Sequence, residues 1–356
     1  MRRFDKRRVN RKRKRDQKLW IRRIDSKVRR KARRLRNDVI PKDERRIHYT
    51  NPHYEICRAP EQLSFVHHPD ETIGFLNSLE HLFSKKKKTF VDLSQTYFID
   101  IGVIAALLSV MNLFKAKGIG FNGNSPKYFA ARKLLYDSGF FKELFNPSEN
   151  EFEFGEKNQL HTQGSKKVIA ELSEPLTIQT GYTIFNEKRI FKGLHRVLME
   201  LQMNTNNHAV IGVKGAKPWC LSVRHDFEMK KVHFSFVDYG VGIFESLYNK
   251  PESNKWFNIM NRVSERIIHG KQYEVLKLLL DGELHRTATG KSYRGKGLPG
   301  IKEVQIRNQI NNLHVITNKA YADVANDSYK ELKNHFSGTF VSWDIGSSNS
   351  NILWAE

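Results

Sequence analysis

Apolar and polar positions follow two rhythms along the chain. Between residues 50 and 146 the short apolar runs "HYEICRA", "KTFVDLS" and "GIGFNG" read as strands. The segments "DETIGFLNSLEHLF", "GVIAALLSVMNLFKA" and "SPKYFAARKLLYDSGF" carry apolar residues at helical spacing and read as helices. Such strand–helix alternation predicts an α/β domain over 50–146. The stretch "NPSENEFEFGEKNQLHTQGSKK" is polar and turn-rich, so a linker is expected over 147–167. A second α/β unit is expected over 168–350. It holds a long helix over about 185–208, strands at 219–225 and 232–238, and a polar, basic stretch over 245–294. A helix then opens near Gly297, and the strands "LHVITNK" and "GTFVSWDI" close the unit. No internal repeat is visible.

The longest apolar run, "FIDIGVIAALLSVMNLF" (98–114), is short for a bilayer and carries Asp100. It reads as a strand end followed by a buried helix. The only cysteines, Cys57 and Cys220, are far apart and form no CxxC pattern. That fits a reducing compartment and speaks against a disulfide framework or a cysteine-built zinc site. With no apolar block behind the charged start, no signal peptide is read. The expectation is a cytoplasmic protein without a membrane span.

Charge singles out the N-terminus. Residues 1–36 hold 20 Lys and Arg against 3 Asp, a net +17 of the chain's +23. In this arm (1–47) Trp20, Ile24, Val28 and Leu35, with Ala32 between, form one thin apolar stripe on an otherwise cationic helix. It buries too little to pack alone, so disorder, or a helix formed on binding, is expected. Arg outnumbers Lys, which favours bidentate phosphate contacts. Arg11, Lys12, Arg13, Lys14, Arg15, Arg22, Arg23, Arg29, Arg30, Arg33 and Arg34 are the expected nucleic-acid contacts. Phe4 and Trp20 are the arm's only aromatics, so it should grip backbone with little base stacking. Structured or double-stranded RNA or DNA suits it better than a single strand. An anionic membrane surface and an acidic protein are the rival partners.

Candidate chemistry lies in the second unit. The strand "VHFSFV" runs into Asp238, Gly240 and Gly242. An acid there is costly without a partner, although Asp-x-Gly is also ordinary turn chemistry. The long helix ends "LMELQMNTNNHAV", whose Glu200, Asn204 and His208 recur every four residues and share one face. A polar face turned to water gives the same spacing. Downstream, "YRGKGLPGI" (293–301) opens a helix behind Gly295 and Gly297, with Pro299 in its first turn. Free N–H groups at such a start suit phosphate, and Lys291, Arg294 and Lys296 surround it.

Taken in order, these patterns resemble the GHKL ATPase family: gyrase, Hsp90, histidine kinases, MutL and the anti-sigma-factor kinases. "ELQMNTNNH" is similar to its N-box, "DYGVG" to its first glycine box and "RGKGLPG" to its second. "SGTFVSWDI", with Gly338 and Thr339, is similar to its last motif. The resemblance covers roughly 168–345 and implies a two-layer α/β sandwich that binds ATP and Mg²⁺. It implies that Asp238 accepts a hydrogen bond from the adenine amino group, while Gly240 and Gly242 let the backbone pass the base. Asn204 would hold Mg²⁺ through its side-chain oxygen. Glu200 would orient or deprotonate the attacking water or hydroxyl. His208 would sit near the phosphates. Arg294, Gly295, Lys296, Gly297, Leu298 and Gly300 would wrap them, hinging a lid over about 245–294, and Thr339 completes the site. Thr205, directly after Asn204, departs from the small residue frequent there, and no phosphoacceptor histidine stands where a two-component sensor would carry one.

"FVDLSQTYFIDIGVIAALLSV" resembles the centre of a STAS domain, the fold of anti-sigma-factor antagonists. That family carries a phosphorylated Ser after a strand-ending Asp. Here Asp100 is followed by Ile101, Gly102 and Val103, with no hydroxyl. An unrelated α/β domain with a similar turn remains the alternative. The expected function is an ATP-binding switch that docks on nucleic acid and controls a protein partner through the STAS-like part, with homodimerisation on ATP as one option. A Ser/Thr kinase acting on a separate partner and a non-enzymatic nucleic-acid scaffold are the competing readings.

Overall fold

A computed structural model describes residues 53–141, 160–165, 172–208, 219–240, 242–244, 271–283, 297–349 and 352–354; the side chains of 160–165, 206–208 and 352–354 are outside that description. The basic arm and all its candidate contacts lie outside the described residues.

The chain is mixed α/β, with one parallel and one antiparallel sheet of more than two strands. The first part builds β1 (Glu55–Arg58), β2 (Gln62–Leu63), α1 (Pro69–Ser84), β3 (Thr89–Asp92), β4 (Phe98–Ile99), α2 (Ile101–Ala116), β5 (Phe121–Gly123) and α3 (Phe129–Asp137). Strands β1, β3 and β5 pair in parallel, as strands joined by crossover helices should. The run 98–114 does form a strand end and then a helix buried from Ile101 to Val110, and among the described residues no helix is long and apolar enough to cross a membrane. Asp100 caps α2. Its buried carboxylate accepts the N–H of Val103 at 2.8 Å and of Phe65 at 2.9 Å. Burial pushes this carboxyl above its ordinary range against the pull of those bonds.

The second part builds β6 (Leu160–Ser165), α4 (Ser173–Phe185), β7 (Arg189–Phe191), α5 (Lys192–His208), β8 (Trp219–Asp226) and β9 (Lys231–Asp238). It continues with α6 (Gln272–Leu280), α7 (Gly297–Ile306), β10 (Asn311–Asp323), β11 (Ser328–Gly346) and β12 (Ile352–Trp354). Its antiparallel sheet runs β10-β11-β9-β8-β6. One face packs on α4, α5, α6 and α7 through Leu198, Leu276, Val304, Phe234 and Trp343, among others. The other face is covered by the first part. Phe65 stacks on Phe340 at 4.4 Å between centroids, and Ser109 donates to Cys220 Sγ at 3.0 Å. Asp70 of α1 accepts the N–H groups of Lys333 and Asn334 on β11. Residues Pro52–Glu356 therefore form one compact unit, in which α1 and α2 fill the space between the two sheets.

Three expectations need correction. The 147–167 stretch contains an edge strand, β6, paired antiparallel with β8; an edge needs no apolar alternation, so its polar residues read as linker. The long helix starts at Lys192, not near 185, because α4 ends at Asn186 in the left-handed conformation (φ 58°) and β7 intervenes. The expected lid contains α6, whose Val275, Leu276, Leu279 and Leu280 are buried in the helix-side core; outside 271–283, the stretch 245–294 lies beyond the described residues.

Candidate functional site

Asp238 ends β9, half-buried, with Trp219 of β8 and Thr339 of β11 as ladder partners. Side chains alternate across a strand. Val232, Phe234 and Phe236 enter the helix-side core, so the same alternation puts Asp238 on that face. On β11, Val341, Trp343 and Ile345 do likewise, which brings Thr339 to the same face beside Asp238. The acid of "DYGVG" and the threonine of "SGTFVSWDI" are thus adjacent on the sheet face that α5 covers.

Helix α5 buries Leu194, Val197, Leu198 and Leu201 against that face, and leaves Arg196, Glu200 and Asn204 half-buried along one side at four-residue steps. Burial pushes the Glu200 carboxyl above its ordinary range, and the Arg196 charge opposes it in part. A more basic carboxylate is a better proton acceptor near neutrality. Helix α7 starts against this side. A β-carbon on Gly297 would stand 3.2 Å from Asn204 Oδ1, and one on Gly300 would stand 3.0 Å from Arg196 Nη2. Arg196 Nη2 also pairs with Glu303 Oε2 of α7 at 2.9 Å. Leu298 points its side chain into the core, so only its backbone can face a ligand. The Thr205 hydroxyl turns back to the Leu201 carbonyl at 3.1 Å, a local bond that leaves the neighbouring Asn204 side chain to its own contacts.

The chain after Asp238 is anchored rather than loose. Tyr239 is buried in the opposite core, and the Ile243 N–H donates to Thr317 Oγ1 at 3.0 Å. Thr317 Oγ1 in turn donates to the Gly338 carbonyl at 3.1 Å. Gly338 (φ 153°) cannot carry a side chain, since a β-carbon would fall 2.1 Å from the Asp238 carbonyl oxygen. Gly242 (φ 78°) makes its close approach to Asn318, where a β-carbon would fall 2.4 Å from Oδ1. Its tight fit is thus to β10. Among the described residues beyond its chain neighbours, a β-carbon on Gly240 would meet only the Asp238 carboxylate oxygens, 3.8 and 3.9 Å away.

The structure therefore brings Asn204 to Gly297 and Asp238 to Thr339, all around the helix side of one sheet. The His208 side chain, Arg294, Gly295 and Lys296 lie outside the described residues. Arg196 was missed by sequence reasoning, although it stands one turn before Glu200 on the same face. Thr317 and Asn318 were missed because nothing in "LHVITNK" distinguishes them from other strand residues. Among the described residues no group of three His, Cys, Asp or Glu gathers as a metal site; a hard cation held by one amide oxygen, phosphates and water needs none. No protein-family model matches the chain, and a search of curated proteins returns no match.

Proposed function

We propose that the chain is a Mg²⁺-dependent ATP-binding switch of the GHKL type, carried on a STAS-like scaffold and docked on nucleic acid by its basic arm. The observation that carries this reading is the contact of Asn204 with the start of α7, on the same sheet face as the adjacent Asp238 and Thr339. Motifs more than ninety residues apart in sequence meet there. The donor set fits the ligand. Asp238 offers a carboxylate acceptor to an exocyclic amino group, with no side chain at Gly240 to block a flat ring. Asn204 Oδ1 offers a hard oxygen to Mg²⁺, and the free N–H groups that open α7 suit phosphate. Glu200, its basicity raised by burial, takes a proton from the attacking water. The cation supplies charge neutralisation on the phosphates. Arg196 holds α5 against α7 and keeps Asn204 and the phosphate-binding turn in register.

The STAS-like part serves as scaffold and partner surface, and its own turn is not a phosphate acceptor: Asp100 is consumed as the cap of a buried helix, with no hydroxyl over 101–103. Incubation with γ-labelled ATP tests the reading. Label should appear as inorganic phosphate, and Glu200→Ala should lower that rate roughly 10²–10⁴-fold while leaving ATP binding within about threefold. Label transferred to an added protein would favour the kinase reading. Turnover unchanged by Glu200→Ala would remove Glu200 from its role.

A further inference from the structure

A cavity of about 810 Å³ opens on the other face of the antiparallel sheet, between the sheet and the first part of the chain. Its floor is formed by His233 and Ser235 of β9 and Ser342 and Asp344 of β11, the residues that alternate with those facing α5. Its volume lies within the range of small-molecule sites, about 300–1,000 Å³. Its walls set aromatic side chains among aliphatic ones. Tyr97 and Phe98 stand at the rim, each 40 % exposed. Phe340 and Tyr321 close the interior.

The polar groups inside are held in place by one another. His233 Nδ1 bonds Asp344 Oδ1 at 2.6 Å, and Asn312 Nδ2 donates to Asp344 Oδ2 at 2.7 Å. His314 Nδ1 meets the Tyr321 hydroxyl at 3.0 Å. Both imidazoles are thereby pinned through Nδ1, and both rings line the cavity. Burial, against the opposing charges of Asp323 and Asp344, lowers the His314 pKa and favours its neutral ring. The charge balance then selects the ligand. Among the described lining residues Arg224 is the one Arg or Lys, against carboxylates at Asp323, at Asp344, which also pairs with Lys231, and at the helix-capping Asp100. A polyphosphate would meet more negative than positive charge there. A flat, uncharged ring with several donors and acceptors meets aromatic side chains, pinned imidazoles and carboxylate acceptors for its amino or hydroxyl groups.

We propose that this cavity is a second ligand site, separate from the one facing α5, and that it takes an uncharged nitrogen heteroaromatic of nucleoside size. It shares β9 and β11 with Asp238 and Thr339, so its occupant would sit on the reverse side of the same strands.

The test uses the full-length chain carrying Asp238→Asn, which weakens adenine capture at the other face at a residue outside the cavity lining. Adenosine, guanosine, cytidine and uridine are each titrated by calorimetry. At least one should bind more tightly than about 1 mM. Phe98→Ala, a rim change at an exposed position, should weaken that binding roughly tenfold, as loss of a stacking partner does. Ser235→Phe, which fills the floor, should abolish it, with a thermal melt showing that the variant is folded. Failure of all four nucleosides to bind at that level overturns the proposal. So does binding that Phe98→Ala leaves unchanged.

Discussion

At the scale of single residues, the two faces of one sheet carry opposite chemistry because β9 and β11 alternate strictly. His233, Ser235, Ser342 and Asp344 look one way, and Asp238 and Thr339 the other. Asp344 is the clearest electrostatic case. Burial works against its ionisation, but the hydrogen bond and charge of His233, with Asn312 and Lys231, overcome it and hold the carboxyl below its ordinary value of 3.8. A carboxyl depressed in the folded state stabilises the fold above its unfolded pKa, and that contribution is lost as pH falls through the folded value. Urea unfolding as a function of pH should therefore show an acid limb that begins near pH 4 and continues below it. Asp344→Asn should flatten that limb and cost about 1–3 kcal/mol at neutral pH, the usual loss when charge-assisted hydrogen bonds are removed. An unchanged acid limb would mean that the His233–Asp344 pair does not couple to folding.

At the scale of elements, much was legible and the failures have reasons. In the first part β1, β3, β5 and the helices were legible from short apolar runs and helical spacing, whereas the two-residue β2 was not. Helix α2 shows the other signal: residues 101–110 are all buried, so it is apolar all round and reads as core rather than as an amphipathic surface helix. The start of α7 is visible as a Pro in the first turn behind glycines. What stayed hidden had weak or conflicting patterns. β6 is a polar edge, β7 is short, and α6 sits inside a basic stretch whose flanking charge masked its four buried residues. Among candidate site residues, Glu200, Asn204 and Asp238 stood out through the family resemblance, since their spacing alone also fits a solvated face and a turn, whereas Arg196 declares itself only through its contacts with α7. Helix α2 supplies the core shared by both parts, so truncating it should be costly. Leu108, fully buried, is the test: Leu108→Ala should destabilise by about 2–5 kcal/mol, seen as a lower denaturation midpoint at unchanged denaturant slope.

At the scale of the whole molecule, sequence spacing suggested two domains and a linker, but residues Pro52–Glu356 make one compact unit. The reason is physical: the antiparallel sheet has two faces, its own helices cover one, and the apolar residues of the other, such as Val237, Ile316 and Phe340, are buried by the first part. Alternation within a strand shows that both faces are apolar without revealing what covers each. In the proposed reading the charge of the arm adds nucleic-acid binding. If it neutralises six to ten phosphates, affinity for duplex RNA or DNA should fall ~10³–10⁵-fold between about 50 and 200 mM salt. Deletion of residues 1–40 should remove most of that dependence, and binding indifferent to both changes would strip the arm of its role.

The central claim is that Asp238, Asn204 and the start of α7 together hold an adenine nucleotide and its cation. Equilibrium titration of ATP into the full chain, with and without Mg²⁺, measures this most directly. The account predicts binding strengthened by Mg²⁺, little response to GTP, and a loss of roughly tenfold or more in Asp238→Asn, as when a buried hydrogen-bonding partner is altered. Equal affinity for ATP in wild type and Asp238→Asn, or no binding in either, would contradict it.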